Sequence, residues 1–400
     1  MKTLFLAGVS RNVIILGLVS LFQDLSSEML YPVVPLFLTT VLGAPMTVIG
    51  LIEGFAEFTA AILKAVFGRL SDRFQRRRAF ISLGYGLSAM SRPLLLFANS
   101  WGFVLAARLA DRLGKGVRTS PRDALLAAAA PAAHRGKVFG VHRALDTIGA
   151  VIGPLLAIWL LAITDNDYHS VFLIAVIPSA LAFLLTFLVK DVKTEIATIK
   201  LTDYCSLLTG HFSSAYWSFM AINFIFFIGN SSDVFLILRA REIGLSTSEA
   251  ILAYVVYNLA YALLAMPAGM ISDRLGRRRV MQSGFLVFAL VYAGFAIIEA
   301  PFFIWPLFML YGFYAAMTDG VGKAAIADLV APEHCGSAIG IFYMMTGCAA
   351  LIANGLAGWL WKEFGAAAAL SLSASLSIAA TFLMFLGKKS RNLPSEFNQK

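Results

Sequence analysis

The stretch "GRLSDRFQRRR" at residues 68–78 returns as "GMISDRLGRRR" at 269–279, so Asp72 and Asp273 stand 201 residues apart. A second pair keeps almost the same offset: "HRGKVFG" from His134 and "HCGSAIG" from His334 are 200 residues apart. A chain of 400 residues that repeats at half its own length is two copies of one unit. Composition identifies the solvent of that unit. Hydrophobic residues make up 59% of the chain and charged ones 14%, with a mean hydropathy of +0.78, which places it in lipid. A hydrocarbon core of about 30 Å takes roughly 20 apolar residues per helical span. Twelve such stretches fall at 12–38, 47–70, 79–98, 101–128, 136–162, 169–189, 212–240, 247–271, 279–299, 303–329, 336–362 and 365–387. A β-barrel is excluded, because its strands would read as short alternating segments. The expectation is an all-α membrane protein: six helices in 1–189, a polar cytoplasmic linker at 190–209, and six helices in 210–400. The halves are then parallel copies related by an axis along the membrane normal.

Loop charge orients the spans. Lys2 and Arg11 precede the first, Arg69, Arg73 and Arg76 to Arg78 follow the second, and Arg135 and Lys137 follow the fourth. Lys190, Lys193 and Lys200 lie in the middle loop, Arg274 and Arg277 to Arg279 follow the eighth span, and Lys388, Lys389 and Arg391 follow the last. The opposite loops, such as "TTVLGAPM" and "TDNDYHS", carry almost no Lys or Arg. The positive-inside rule puts both termini in the cytoplasm, for a multi-pass protein of the bacterial inner (plasma) membrane. The net charge of +9 is mostly loop charge that orients the spans, so no nucleic-acid partner is expected. No cleavable signal peptide is expected, since the first apolar run continues through Asp24 and Glu28 without a small-residue cleavage site. Cys205, Cys335 and Cys348 are odd in number and scattered, which fits neither a disulfide framework nor a metal site. A metal-spacing motif, a nucleophile elbow and a P-loop are all missing from the sequence, so neither an enzyme, nor a cofactor, nor direct ATP drive is expected.

With these residues in view, the chain resembles a transporter of the major facilitator superfamily over essentially its whole length, and within it the 12-span drug/proton antiporter group. Gly68, Asp72, Arg73 and Arg76 to Arg78, Arg77 among them, fit that family's loop motif between spans two and three, with Gln75 where Gly is usual. The second copy, Gly269, Asp273, Arg274, Gly276 and Arg277 to Arg279, which includes Arg278, is complete. The resemblance implies two pseudo-symmetric six-helix bundles around a central cavity, with this motif as a gate. Its chemistry is legible on its own: a carboxylate at a helix end pairs with arginines or with a neighbouring helix N-terminus, holding the cytoplasmic side shut until the halves rock apart. Gly140, Gly149, Gly153 and Pro154 in span five resemble the family's motif for proton-coupled efflux, with Ala157 and Ile158 in place of its last two glycines. Small residues at that spacing let helix backbones pack closely, and Pro154 can bend the span.

Charge inside the spans marks the cavity. Arg108, Asp111, Arg112, Lys115, Arg118 and Arg122 fall on one face of a single helix, within an arc of about 120°. Gly114, Gly116 and Pro121 warn that this helix can be irregular. Ionised side chains at membrane depth face a watery cavity or a charged partner. Arg112, Lys115 and Gly116 resemble the family's fourth-span motif, with Lys115 in place of Gln, which implies proton transfer or substrate binding by Arg112. Arg118, Arg122 and Asp123 read as structural or gate charges. Candidate partners are Asp24 and Glu28 one turn apart on span one, Glu53 and Glu57 one turn apart on span two, and Arg143 three residues before Asp146 on span five. Lys64 and Arg92 add two cations, while the second half offers Asp233, Arg239, Asp319 and Lys323.

Coupling is therefore expected in the N-terminal half, with Asp24 or Glu28 as proton carrier and Arg112 and Asp146 in the same network. The alternative is a fixed salt-bridge network that makes the charged interior tolerable. For the substrate, Arg112, Lys115 and Arg143 could bind a carboxylate or phosphate. If Asp24, Glu28 and Asp146 neutralise them, an amphiphilic pocket remains, lined by Tyr31, Phe227, Tyr254, Tyr257 and Tyr343 and faced by Asp233. The first expectation is proton-coupled efflux of a small amphiphilic compound or metabolite. The second is proton-coupled or exchange uptake of an organic anion such as a carboxylate metabolite or chelate. The partners are then the small molecule, protons and the bilayer, and a monomer suffices because both halves of the cavity lie in one chain.

Overall fold

A computed structural model describes residues 10–74, 76–129, 135–191, 212–330 and 334–386. The linker expected at 190–209 lies outside the described residues except for Lys190 and Asp191. The first half contains α1 (Arg11–Leu30), α2 (Val33–Thr40), α3 (Met46–Phe74), α4 (Arg77–Leu96), α5 (Trp101–Ala128), α6 (Arg135–Ile163) and α7 (Tyr168–Thr186). The second contains α8 (Ser214–Gly229), α9 (Asp233–Glu242), α10 (Thr247–Leu275), α11 (Arg277–Ile297), α12 (Ile304–Leu329), α13 (Cys335–Phe364) and α14 (Ala366–Leu386). With α1 and α2 as one span and α8 and α9 as another, the twelve expected spans are present. Ten of them are long and apolar enough to cross a membrane by composition. The other two are α4 and α5, whose Arg92, Arg108, Asp111, Arg112 and Arg118 depress their hydropathy and are buried inside the protein.

The first span of each half is broken, where continuous spans were expected. Span one breaks at Tyr31 and Pro32, where proline supplies no N–H to the helix ladder. Span seven breaks at Asn230 to Ser232, and Ser232 restarts it by accepting a hydrogen bond from the Val234 N–H at 3.4 Å. Freed backbone at membrane depth has to find partners within the protein. Here the Ser232 N–H donates to Asn354 Oδ1 at 2.7 Å, and the Tyr292 hydroxyl donates to the Ser231 carbonyl at 3.3 Å.

The turns follow local chemistry. Gly276, at φ +94°, separates α10 from α11 in a conformation that side chains rarely adopt; its counterpart Gln75 lies outside the described residues. Asp167 caps α7 by accepting from the His169 and Ser170 N–H groups at 3.1 Å. The Ser170 hydroxyl donates to the same carboxyl, which is held below the usual carboxylate range as a result.

Glycines decide which helices touch. A Cβ at Gly84 would stand 2.6 Å from the Gly114 carbonyl, and one at Gly116 would overlap the Leu63 side chain, so α5 lies tightly against α4 and α3. Helix α5 runs unbroken through Gly114, Gly116 and Pro121, because those glycines serve helix crossing rather than flexibility. In α6, a Cβ at Gly149 or Gly153 would run into the Leu21 or Leu25 carbonyl of α1, whereas one at Gly140 would meet nothing within 4 Å. Between the halves, α3 crosses α13 just as closely: a Cβ at Gly50 would overlap the Asn354 carbonyl, and one at Gly358 the Met46 carbonyl. Gly347 sits against Ala61 in the same seam. That seam occupies the side away from the basic loops. Toward the loops Gly140, Gly269 and Gly340 face open space, and Asp319 and Lys323 of α12 are exposed. The halves are thus closed on one side and parted on the other.

Candidate functional site

The parted side leads to two adjoining cavities that share Tyr31 and Glu57 on their walls. The first, about 230 Å³, belongs mainly to α1, α4 and α5 and takes Asp24, Glu28, Arg92, Arg108, Asp111, Arg112, Lys115 and Arg118 onto its wall. The α5 residues recur every three or four positions, so one face of one helix delivers them. Tyr254 closes this cavity from the other half. The second, about 350 Å³, belongs mainly to the C-terminal half and carries Asp233, Tyr257, Tyr343 and Phe227, which the sequence singled out, together with Asn230, Ser231, Tyr311, Tyr314 and Asp319. Tyr311 and Tyr314 were not anticipated. The signal that could have found them is the tyrosine face of the neighbouring span, Tyr254, Tyr257 and Tyr261, at spacings of three and four on α10.

Ion pairs fill the first wall. Arg108 donates from Nε and Nη2 to Glu53 Oε1 at 3.1 and 2.5 Å, Arg92 pairs with Asp111 at 3.1 Å, and Arg112 pairs with Glu57 at 3.3 Å. Arg92 also donates to Ser26 (3.0 Å), Ser27 (2.9 Å) and Ser91 (2.8 Å), while Arg118 donates to Ser88 and lies over the Tyr85 ring at 4.5 Å. Arg108 and Arg112 of α5 therefore take their carboxylates from α3, and Asp111 of α5 holds Arg92 of α4; Asp24 and Glu28 form none of these pairs. Glu28 instead accepts from the Tyr254 hydroxyl of the other half at 2.9 Å, and the Asp24 carboxyl adjoins that of Asp146. Arg143 pairs with Asp146 at 3.1 Å and lies over the Tyr261 ring at 5.9 Å, off the cavity wall and away from Arg112 and Lys115. Arg122 points the other way, to Asp123 and Ser20. Two groups on the wall are left over: Arg112 Nε is buried without a hydrogen-bond partner, and among the described residues no carboxylate lies within ion-pairing distance of Lys115.

The second wall is aromatic and acidic. Tyr311 donates to Asp233 Oδ1 at 2.6 Å, Tyr261 donates to Asp319 at 3.1 Å, and the Tyr257 and Tyr311 rings lie 4.8 Å apart. Lys64 and Lys323 approach the Tyr343 ring from opposite halves at 5.3 and 5.8 Å. Arg239 stays off this wall, donating to the Phe295 carbonyl and pairing with Glu242, both at 3.0 Å. Where the walls meet, the Tyr31 and Ser232 hydroxyls are 3.2 Å apart and Ser232 donates to Glu53 Oε2 at 3.2 Å. Tyr31 and Ser232 are 201 residues apart, so the two helix breaks face each other across the repeat axis.

The second copy of the loop motif makes its contacts within its own half. Arg277 pairs with Asp273 and, at 3.3 Å, with Asp328, and Arg278 donates to the Met384 carbonyl. The charged clasp expected between the halves is not made by this copy among the described residues. In the first copy, a Cβ on Gly68 would stand 3.0 Å from Ser120, and the side chains of Asp72 and Arg73 lie outside the described ones.

Comparison with known proteins gives the family. The family model described as Major Facilitator Superfamily matches residues 16–238 and 207–399. The chain is 36% identical over 361 residues to an uncharacterized MFS-type transporter of Methanocaldococcus jannaschii, covering 88% of this chain and 89% of that one. It is 26% identical over 330 residues to the cis,cis-muconate transport protein of Acinetobacter baylyi, covering 78% of each. Its fold matches the crystal structure of the nucleoside transporter NupG with a TM-score of 0.75 at 16% identity, covering 96% of this chain and 100% of that one. Paired helical halves around a charged cavity, and a family match that runs through both, make this chain a member of the Major Facilitator Superfamily.

Proposed function

We propose that this protein works by alternating access as a secondary transporter of a small organic anion with an apolar body, exported in exchange for protons. The observation that carries the substrate class is the pair Arg112 and Lys115, a buried guanidinium whose Nε has no hydrogen-bond partner and an ammonium that makes no ion pair among the described residues, one turn apart on the cavity wall. A guanidinium with a free N–H binds a carboxylate or phosphate through charge-assisted hydrogen bonds. A pocket for neutral or cationic amphiphiles needs carboxylates to neutralise these cations; Glu57 pairs with Arg112, but Asp24 and Asp146 adjoin each other and Glu28 is bonded to Tyr254, which leaves Lys115 without an ion pair among the described residues. The muconate transport protein among the relatives supports an anionic cargo.

Two adjoining carboxyls repel when both are ionised. Asp24 and Asp146 are therefore the proton site we assign, and Arg143, between Asp146 and the Tyr261 ring, carries the change of charge to the seam between the halves. The span-five glycines support export. The basic loops support a plasma-membrane protein, the inner membrane in a bacterium, with both termini cytoplasmic and the parted side facing the cytoplasm. Bundles 1–189 and 210–400, linked by 190–209, complete the cavity within a monomer.

Isothermal titration of purified protein with hexanoate, hexanol and hexylamine tests the anion reading. Hexanoate binds, and Arg112→Gln or Lys115→Gln weakens it by about tenfold or more. Hexylamine bound while hexanoate is not, or variants that bind hexanoate like the native protein, would overturn it.

A further inference from the structure

We propose that the cavity has a second, cationic subsite at Asp233, so that the substrate is a zwitterion with its anionic group at Arg112 and Lys115 and an ammonium group at Asp233. This rests on the anion-binding reading of the first wall. Asp233 differs from the paired carboxylates of the N-terminal half, where Glu53, Glu57 and Asp111 each hold an arginine at 2.5 to 3.3 Å. Among the described residues no basic side chain lies within ion-pairing distance of Asp233, and the side chain that bonds it is the neutral Tyr311 hydroxyl at 2.6 Å. Its position at the start of α9 does not account for it, because Ser232 already caps that helix.

The surroundings suit an ammonium group. Tyr31, Tyr257, Tyr311 and Tyr314 share the wall with Asp233, with ring centroids 4.8 Å apart for Tyr257 and Tyr311 and 5.3 Å for Tyr311 and Tyr314. Aromatic faces around a carboxylate attract a cation through both its charge and the ring quadrupoles. Ser231 Oγ, on the same wall, is buried without a partner and adds a free acceptor. Charge over the whole cavity is lopsided in the same sense. The first wall has five basic residues against four carboxylates, and the second has Glu57, Asp233 and Asp319 against Lys64. A zwitterion laid across them joins the two halves through its own ends, which draws the parted side together.

The test titrates the full chain with straight-chain monocarboxylates, ω-amino carboxylates and dicarboxylates of six and eight carbons. At one of these lengths the ω-amino carboxylate binds at least about tenfold tighter than the matching monocarboxylate and dicarboxylate. Asp233→Asn, which keeps the size and the Tyr311 contact, abolishes that advantage, and a cooperative melt shows that the variant is folded. Equal affinities in the native protein at both lengths, a preference for the dicarboxylate, or an advantage that survives in Asp233→Asn would overturn the subsite. Monocarboxylate binding without an ammonium advantage refutes the subsite alone, whereas no carboxylate binding refutes the anion reading beneath it.

Discussion

Glu53 and Glu57 sit one turn apart on α3 and each holds an arginine of α5, but water reaches only one of them. The Glu53 side chain is 5% exposed and its partner Arg108 9%, while Glu57 is 41% exposed where it borders the cavity. Replacing Glu53 by glutamine leaves the Arg108 charge buried without a counter-ion, which costs about 3–5 kcal/mol. The same change at Glu57 costs less, because cavity water already reaches that carboxylate, although Arg112, 7% exposed, still loses its counter-ion. Equilibrium unfolding of both variants in one detergent checks the difference, and a Glu53→Gln protein as stable as the native one contradicts it. At this scale most of the charged wall residues were legible in the sequence, and so were the candidate carboxylates, but which carboxylate meets which cation was not. Spacing along a helix shows that Arg108 and Arg112 share a face; which carboxylates they meet depends on how α3 lies against α5, and that is set by Gly116 on Leu63.

Helix-to-helix packing gives a prediction of its own. Gly153→Ala drives a Cβ to 2.6 Å from the Leu25 carbonyl, whereas Gly140→Ala meets nothing within 4 Å. The first change costs about 1–3 kcal/mol by overpacking and the second is close to neutral, which thermal melts of the two variants distinguish. The glycine motif of span five was legible as a close-packing device, and Gly149 and Gly153 act as one; Gly140 does not in this conformation. The breaks in spans one and seven were not legible. Pro93, Pro121, Pro154, Pro178 and Pro267 lie inside unbroken helices, so Pro32 alone does not announce a break, and the break at Asn230 to Ser232 contains no proline. The partners supplied by other spans, Asn354 and Tyr292, make the second break stable, and sequence spacing does not reveal them.

For the whole molecule, the two-copy architecture was legible because an offset of about 200 residues leaves its mark on loop motifs and basic loops alike. The conformation was not, because the same residues serve every state of the cycle. Opening the closed side requires α3 to leave α13 along Gly50, Gly347 and Gly358, and Ser232 to give up Tyr31 and Glu53. In the proposed mechanism, substrate and protons make that exchange possible together. The most direct measurement is therefore proton flux in proteoliposomes carrying a trapped pH dye, on addition of adipate or 6-aminohexanoate, with protein-free vesicles subtracted. The account predicts proton movement that depends on the added carboxylate and disappears in Asp24→Asn. Carboxylate transport without proton movement, or flux unchanged in both Asp24→Asn and Asp146→Asn, would contradict it.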